Sequence, residues 1–308
     1  MKRLISSGAV LLSLVIGTAS NLFACWGTRP LSMGGAFVAV SDDVHSIYWN
    51  PAGLSKVKNF ELTYTRWLDR RDEVNYDDFA AGAISLGACT LGASFTYNKD
   101  KPNDIINLNG DLYRRREEED GYVNLGCGAS LGKAVSLGFN VKFLKTVFSG
   151  TDAKTGNTSP RSDSTYLLDF GLLWDASPKL AVGVLGQNFN EPKMFDGKYV
   201  FNLRPGIAWK PTPEVTFAFD LYNLLDYTDP DGKSDRNIRI GMEAWASKNL
   251  AFRLGCYSYY INRRNDNGPE AYTAGMGWKI ARWKVDYGLM YWTNVGYIQH
   301  LLAFGYAY

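Results

Sequence analysis

From residue 58 to the C-terminus, apolar and polar residues alternate in segments of about ten, separated by runs rich in turn formers. The clearest is 134–145, where Val135, Leu137, Phe139, Val141 and Phe143 fall on one face and Ser136, Gly138, Asn140 and Lys142 on the other. Successive side chains of a strand project to opposite sides, so a period of two predicts a strand with one apolar and one polar face. The same pattern recurs at 166–174, 238–245, 250–257 and 283–292. It predicts fourteen strands: 59–67, 78–86, 89–98, 121–131, 134–146, 164–175, 179–190, 198–209, 214–224, 236–246, 249–260, 270–280, 283–292 and 298–308. The weakest is 198–209, because Pro205 lacks a ladder donor and needs a bulge, a kink or an edge.

The connections alternate between short and long. Gly87-Ala88, Gly132-Lys133, Ser177-Pro178, Pro211-Thr212-Pro213, Ser247-Lys248 and Ala281-Arg282 are short, whereas 68–77, 99–120, 147–163, 191–197, 225–235, 261–269 and 293–297 are longer. An outer-membrane barrel has tight turns at its periplasmic end and longer loops outside, whereas a β-sandwich has no reason to alternate in this way. An even strand number puts both chain ends in the periplasm. The fold class is therefore all-β, a transmembrane antiparallel β-barrel of about fourteen strands. The charged run RRREEED at 114–120 reads as a solvated loop. Trp67, Tyr97, Tyr122, Trp174, Trp209, Trp245, Trp278 and Trp292 near strand ends suit aromatic girdles, or simply the strand preference of aromatics.

The polar faces carry Lys142, Asp169, Asp220, Arg239, Glu243, Arg253 and Asp286, which in a barrel meet a lumen and pair across it as a polar network. Composition agrees with this class: 16 Phe, 19 Tyr, 9 Trp and 31 Gly, with no run of about 20 apolar residues after the N-terminus. Lys2, Arg3 and the apolar stretch 8–19 form a signal peptide, expected to span 1–24, with cleavage after Ala24 or Ala19. Its removal takes the net charge from +2 to about zero, which argues against a nucleic-acid partner. Leu22-Phe23-Ala24-Cys25 is similar to a lipobox, so Cys25 is either acylated or beside an ordinary cleavage site. Cys89, Cys127 and Cys256 are too scattered for a disulfide framework. The alternation of Leu302, Phe304, Tyr306 and the final Tyr308 resembles the signal read by barrel assembly machinery, an expected partner alongside outer-membrane lipid.

Residues 29–55 do not alternate and are rich in small residues. Gly34-Gly35 permits backbone conformations closed to other residues, Ser41-Asp42-Asp43 offers a cap for a short helix ending near Trp49, and Asn50-Pro51-Ala52-Gly53 is a turn or helix stop. The runs Arg29-Pro30-Leu31-Ser32-Met33-Gly34-Gly35-Ala36-Phe37, Asp42-Asp43 and Trp49-Asn50-Pro51-Ala52-Gly53-Leu54 resemble the N-terminal signature of the FadL-like outer-membrane superfamily. That superfamily includes fatty acid and aromatic-hydrocarbon transporters and the short PorV/PorQ-type proteins linked to type IX secretion, and the short loops here are closest to the latter. The resemblance implies a fourteen-stranded barrel whose N-terminal segment, 25–57, folds into the lumen of 58–308 as a hatch. By that likeness Gly34, Gly35, Asp42, Asp43, Trp49, Asn50, Pro51, Ala52 and Gly53 form the hatch and the ligand pathway.

The function implied is passive transport of hydrophobic or amphipathic small molecules. The alternatives are an accessory or shuttle role with secretion-system proteins, and a structural barrel with a closed lumen. An apolar tunnel behind Asn50 favours transport, and a lumen filled by the charged residues disfavours it. The only histidines, His45 and His300, have no partners at metal-ligand spacing. No nucleophile elbow or phosphate loop is present, so no catalytic residue, metal or cofactor is expected.

Overall fold

The computed structural model describes residues 26–68, 76–99, 103–106, 112–152, 155–195, 197–226, 236–261 and 268–308. The expected signal peptide and Cys25 lie outside the described residues. Fourteen strands form one closed antiparallel barrel: β1 Phe60–Leu68, β2 Tyr76–Ser85, β3 Thr90–Lys99, β4 Leu112–Leu131, β5 Val135–Asp152, β6 Thr158–Ser177 and β7 Leu180–Gln187. They continue as β8 Asn202–Thr212, β9 Val215–Tyr222, β10 Asn237–Ser247, β11 Leu250–Tyr260, β12 Pro269–Ile280, β13 Trp283–Trp292 and β14 Tyr297–Ala307. Each strand pairs with its neighbours in the chain, and β14 pairs with β1 from Glu61↔Ala307 to Leu68↔His300. Closure satisfies every strand from both sides, which an open sheet in lipid could not do.

All fourteen expected strands are present, and the period of two sorts their side chains as the alternation requires. On β5, Leu137, Phe139 and Phe143 face outward, while Ser136, Asn140 and Lys142 are buried inside. On β8 and β9, Ile207, Trp209, Phe217 and Phe219 face out, opposite buried Arg204, Ala208, Ala218 and Asp220. An apolar outer surface of this extent is stable only against lipid. Short turns close one end of the barrel and the longer connections lie at the other.

Three expectations are corrected. The run 114–120 is strand, not loop: β4 continues through it, paired with β5 from Arg114↔Asp152 to Asp120↔Thr146. β5 and β6 likewise extend past the ring, and Asn103–Ile106 adds a fourth strand beside β4. A sheet outside the membrane has no apolar face, so the alternation that marks a strand in lipid is missing there. The girdle is also only partly made of the residues expected. Trp174, Trp209 and Trp278 are exposed on the outer face, joined by Trp283 and Tyr291. Trp67, Tyr122, Trp245 and Trp292 instead point into the lumen, sharing strand faces with Thr65, Asn124, Glu243 and Met290.

The third correction is at the helix start. The helix runs Ser46–Trp49, and Asp43 Oδ1 caps the preceding turn by accepting from the His45 N–H at 2.9 Å. Pro205 lies just outside the β8–β9 ladder, where no backbone donor is needed. It pairs opposite Val184 without a register shift, while the ladder from β8 to β9 begins one residue later, at Gly206↔Asp220. Beyond it, Leu224 N–H donates to the Leu203 carbonyl and Asn223 N–H to Asn202 Oδ1.

Candidate functional site

The segment preceding β1 fills the lumen. It contains α1 Thr28–Ser32, α2 Ser46–Trp49 and a 3-10 turn Pro51–Lys56. Every residue from Gly27 to Leu54 is buried except Arg29 and Asp42, which are half-buried. Met33, Phe37, Ile47, Trp49 and Leu54 form its apolar centre. Irregular backbone buried in this way must find hydrogen-bond partners outside itself. The barrel's polar face supplies them. Asp220 Oδ2 accepts the N–H groups of Phe37 and Val38 at 2.7 and 2.8 Å. Thr273 Oγ1 accepts from Gly34 N–H and donates to the Ser32 carbonyl, and Asn140 Nδ2 donates to the Ile47 carbonyl at 2.6 Å.

The nine expected hatch residues have distinct roles. Gly34, at φ +64°, lies so close to the backbone of β10 and β11 that a side chain would strike Ile240 O and Cys256 N, and Gly35 sits under Trp49 and Arg239. Trp49 is fully buried and donates from Nε1 to the Trp26 carbonyl. Asn50 is the tie between hatch and wall. Its Nδ2 donates to the carbonyls of Val38 and Leu172, and its Oδ1 accepts the Ala52 N–H. Pro51 packs on the wall, Ala52 is fully buried, and Gly53 abuts Ser41. Asp42 and Asp43 both accept from Arg29 Nη1, at 2.6 and 2.7 Å.

A set of lumen-facing glycines receives this segment. A side chain at Gly128, Gly138 or Gly171 would overlap Asn50–Pro51–Ala52, one at Gly183 would overlap Val38, and one at Gly241 or Gly255 would overlap Met33–Gly34. These positions fall on the polar faces of successive strands, so the signal for them was in the alternation itself.

The seven charged lumen residues divide into separate groups. Lys142 pairs with Asp169 at 2.8 Å, toward the loop end. At the turn end, Arg253 bridges Glu243 and Asp286 at 2.7 and 2.5 Å, and Arg29 joins the same Glu243. Asp220 and Arg239 stand opposite each other in the register of β9 and β10, at the level of the hatch, without an ion pair between them among the described residues. The lumen on either side of the hatch is thus polar, not an apolar tunnel. His45 binds Asp43 through Nδ1 at 2.9 Å inside the hatch, and His300 pairs with Tyr287 on the outer face at 2.7 Å. Among the described residues no cluster has the composition of a metal site.

The hatch separates two cavities. The one at the turn end, about 280 Å³, is lined by the Arg29 and Arg253 ion pairs with Lys210, Lys279 and Lys284. The one at the loop end, about 220 Å³, is walled by Tyr48 and Trp26 of the hatch together with Tyr122, Tyr199, Tyr222, Tyr257 and Tyr260. Arg204, Arg239 and Lys142 are its cations. A β-bulge shapes this wall. Between Ile238↔Tyr259 and Ile240↔Cys256 the strand β11 carries one extra residue, with Ser258 at φ +50°. The bulge buries Tyr257, Ser258 and Tyr260 inward together, a way of aiming side chains that recurs beside functional sites. None of Arg204, Tyr48, Tyr199 or Tyr257 stands out in the sequence as a site residue, because their convergence depends on closure of the barrel.

No protein-family model matches the sequence, and no curated protein matches it. Solved structures do. The toluene transporter TbuX of Ralstonia pickettii matches with a TM-score of 0.72 at 12% identity, over 94% of this chain and 99% of that one. The toluene transporter TodX of Pseudomonas putida gives 0.66 at 11% identity, over 91% and 97%. A FadL homologue of Pseudomonas aeruginosa gives 0.62 at 8% identity, over 92% and 97%. The chain therefore has the fold of FadL-type outer-membrane channels.

Proposed function

We propose that this chain is a passive outer-membrane channel that takes small amphipathic molecules into the cavity at its loop end and releases them past the hatch. The observation that carries this reading is the cavity seated directly on hatch residues Trp26 and Tyr48, where a bound molecule touches the element that must move. The likeness of fold to channels named for toluene and monoaromatic hydrocarbons supports it. Charged side chains on both sides of the hatch count against the hydrophobic cargo expected from the sequence and favour molecules with a polar group over alkanes and long acyl chains. In this reading a signal peptide at 1–24 exports the chain, the barrel assembly machinery inserts it, and the loop end faces outward with both termini periplasmic. Passage would follow the hatch, 25–57, through the barrel, 58–308.

The test is solute flux into proteoliposomes and uptake by a deletion strain complemented with wild type or Asn50→Ala. A small aromatic solute should enter wild-type vesicles, and Asn50→Ala should change the rate by loosening the hatch. Equal flux in empty and loaded vesicles would reject transport.

A second reading, a PorV/PorQ-like partner of secretion-system proteins, is favoured by one observation. The sheet formed by Asn103–Ile106 and the ends of β4, β5 and β6 continues past the barrel ring, as a surface another protein could use. Recovery of a translocon or secreted cargo with the native protein would support it, and recovery of the barrel alone would count against it.

A further inference from the structure

Arg204 projects from β8 into the loop-end cavity with 5% of its surface exposed. Its guanidinium lies 3.8 Å from the centre of the Tyr222 ring. Its Nε and Nη1 are sealed from solvent and have no hydrogen-bond partner among the described residues. A guanidinium cannot relieve this by losing its proton, and a ring face meets only its flat side, leaving these in-plane N–H groups unsatisfied. Buried charges are normally paired. Arg239 on β10 is similar, also 5% exposed, 4.6 Å from the Tyr222 ring and 4.4 Å from that of Tyr257, with Nε unpartnered and Nη2 donating to the Tyr257 hydroxyl at 3.4 Å. Two cations therefore share one tyrosine.

The carboxylates around them are bonded to other groups or stop short of a hydrogen bond. Asp169 holds Lys142 and the Asn188 N–H, Glu270 accepts from the Tyr260 hydroxyl at 2.6 Å, and Asp220 gives Oδ2 to two hatch N–H groups while its Oδ1 accepts no hydrogen bond among the described residues. The cavity is about 220 Å³, and an apolar cavity of about 150 Å³ holds benzene, so the space suits one ring with a small substituent. A neutral hydrocarbon would fill the volume and leave Arg204 Nε and Nη1 and Arg239 Nε without a partner.

We propose that the loop-end cavity is a binding site for a single-ring aromatic carboxylate, whose charged group meets the Arg204 guanidinium while the tyrosines around Arg239 receive the ring. What the bound molecule is there for rests on the channel reading, whereas the binding site itself is tested apart from transport. Benzoate supplies the two oxygens that a guanidinium fork matches, and benzamide is its neutral counterpart of nearly equal shape.

Calorimetric titration of the full chain in detergent micelles tests it, with benzoate, benzamide, toluene and inorganic phosphate as probes. Wild-type protein should bind benzoate at least about tenfold more tightly than any of the other three. Arg204→Gln should abolish that preference while the heat-shifted gel band of the folded barrel persists, and Arg204→Lys should restore part of it. Benzamide or toluene binding as tightly as benzoate overturns the proposal, as does a preference that survives Arg204→Gln or no binding by any probe. Phosphate binding as tightly as benzoate also overturns it, because the ring then contributes nothing. The wild-type preference is read without any variant, so a misfolded substitution does not shelter the proposal. Flux into proteoliposomes separates the two readings. Tight, selective benzoate binding without flux sinks the channel and keeps the site, while flux without preference for charge sinks the site and keeps the channel.

Discussion

Arg29 and Glu243 meet as a two-pronged ion pair, Nε to Oε2 at 2.9 Å and Nη2 to Oε1 at 2.8 Å, across 214 residues of sequence. The pair fastens α1 to β10, and the remaining Arg29 nitrogen holds Asp42 and Asp43. Arg29 thus joins both halves of the hatch to the wall. Removing one partner of a buried pair leaves the others uncompensated and costs about 3–5 kcal/mol. Arg29→Ala is expected to loosen the hatch without opening the barrel. Single-channel recording in planar bilayers should show larger or more frequent openings, and the heat-shifted gel band should remain. A silent channel identical to wild type would show that the latch does not hold the hatch.

The lumen-facing glycines make a second prediction. Gly138 faces Pro51 and Ala52 so closely that any side chain overlaps their backbone. Overpacking of this kind costs about 1–3 kcal/mol when neighbours can shift, and here the neighbours are backbone. Gly138→Val should displace the Asn50–Ala52 turn while β5, strong in its own pairing, stays in place. Protease cleavage within 26–57 should rise in Gly138→Val. Gly121→Ala on β4, where an added methyl meets nothing within 4 Å, should leave it unchanged.

The barrel was legible because the signal for a strand in lipid is local. Leu137 and Lys142 declare their faces without reference to any other part of the chain. The hatch was legible as a segment but not as a packing. Arg29 and Glu243, or Phe37 and Asp220, become neighbours only when the barrel closes, and no spacing in the sequence encodes that. Trp245 was misread for a different reason. Its position near a strand end suggested a girdle, yet the alternation already placed it on the face of Arg239 and Glu243, and the face decides. The alternation places Tyr257 on the lumen face with Arg253, but Tyr260 was beyond reach, because the bulge at Ser258 shifts the alternation after it.

The two tryptophan populations can be separated by their surroundings. Trp174, Trp209 and Trp283 are about half-exposed on the outer face, whereas Trp49 is fully buried in the hatch and Trp67 faces the lumen. In vesicles containing brominated lipid, the outer rings should be quenched by contact. Trp209→Phe should therefore reduce the quenchable fraction of the emission, and Trp49→Phe should raise it by removing a shielded emitter. Quenching indifferent to Trp209 would contradict contact between that face and lipid.

The last prediction concerns pH and the connection between β7 and β8, which brings Tyr199 to the cavity. Two carboxylates hold it. Glu191 accepts from Lys198 Nζ at 2.7 Å and from the Phe201 N–H at 3.2 Å, and these bonds hold its carboxyl below the usual range. Asp163, on the part of β6 beyond the ring, accepts the N–H groups of Phe195 and Ser164, which lower it likewise. A carboxyl whose folded pKa is depressed stabilises the structure above its unfolded pKa, about 4 for these residues, and that contribution is lost as pH falls through the folded value. The connection should therefore be equally ordered from neutral pH down to about 5, and loosen only in stronger acid. Amide exchange at Phe195 and Phe201, corrected for the intrinsic pH dependence, reads this directly. Glu191→Gln should weaken protection at Phe201 at neutral pH and flatten its acid dependence, leaving Phe195 to follow Asp163. Protection that instead declines between pH 8 and 5 would place control of this connection with a group other than these carboxylates.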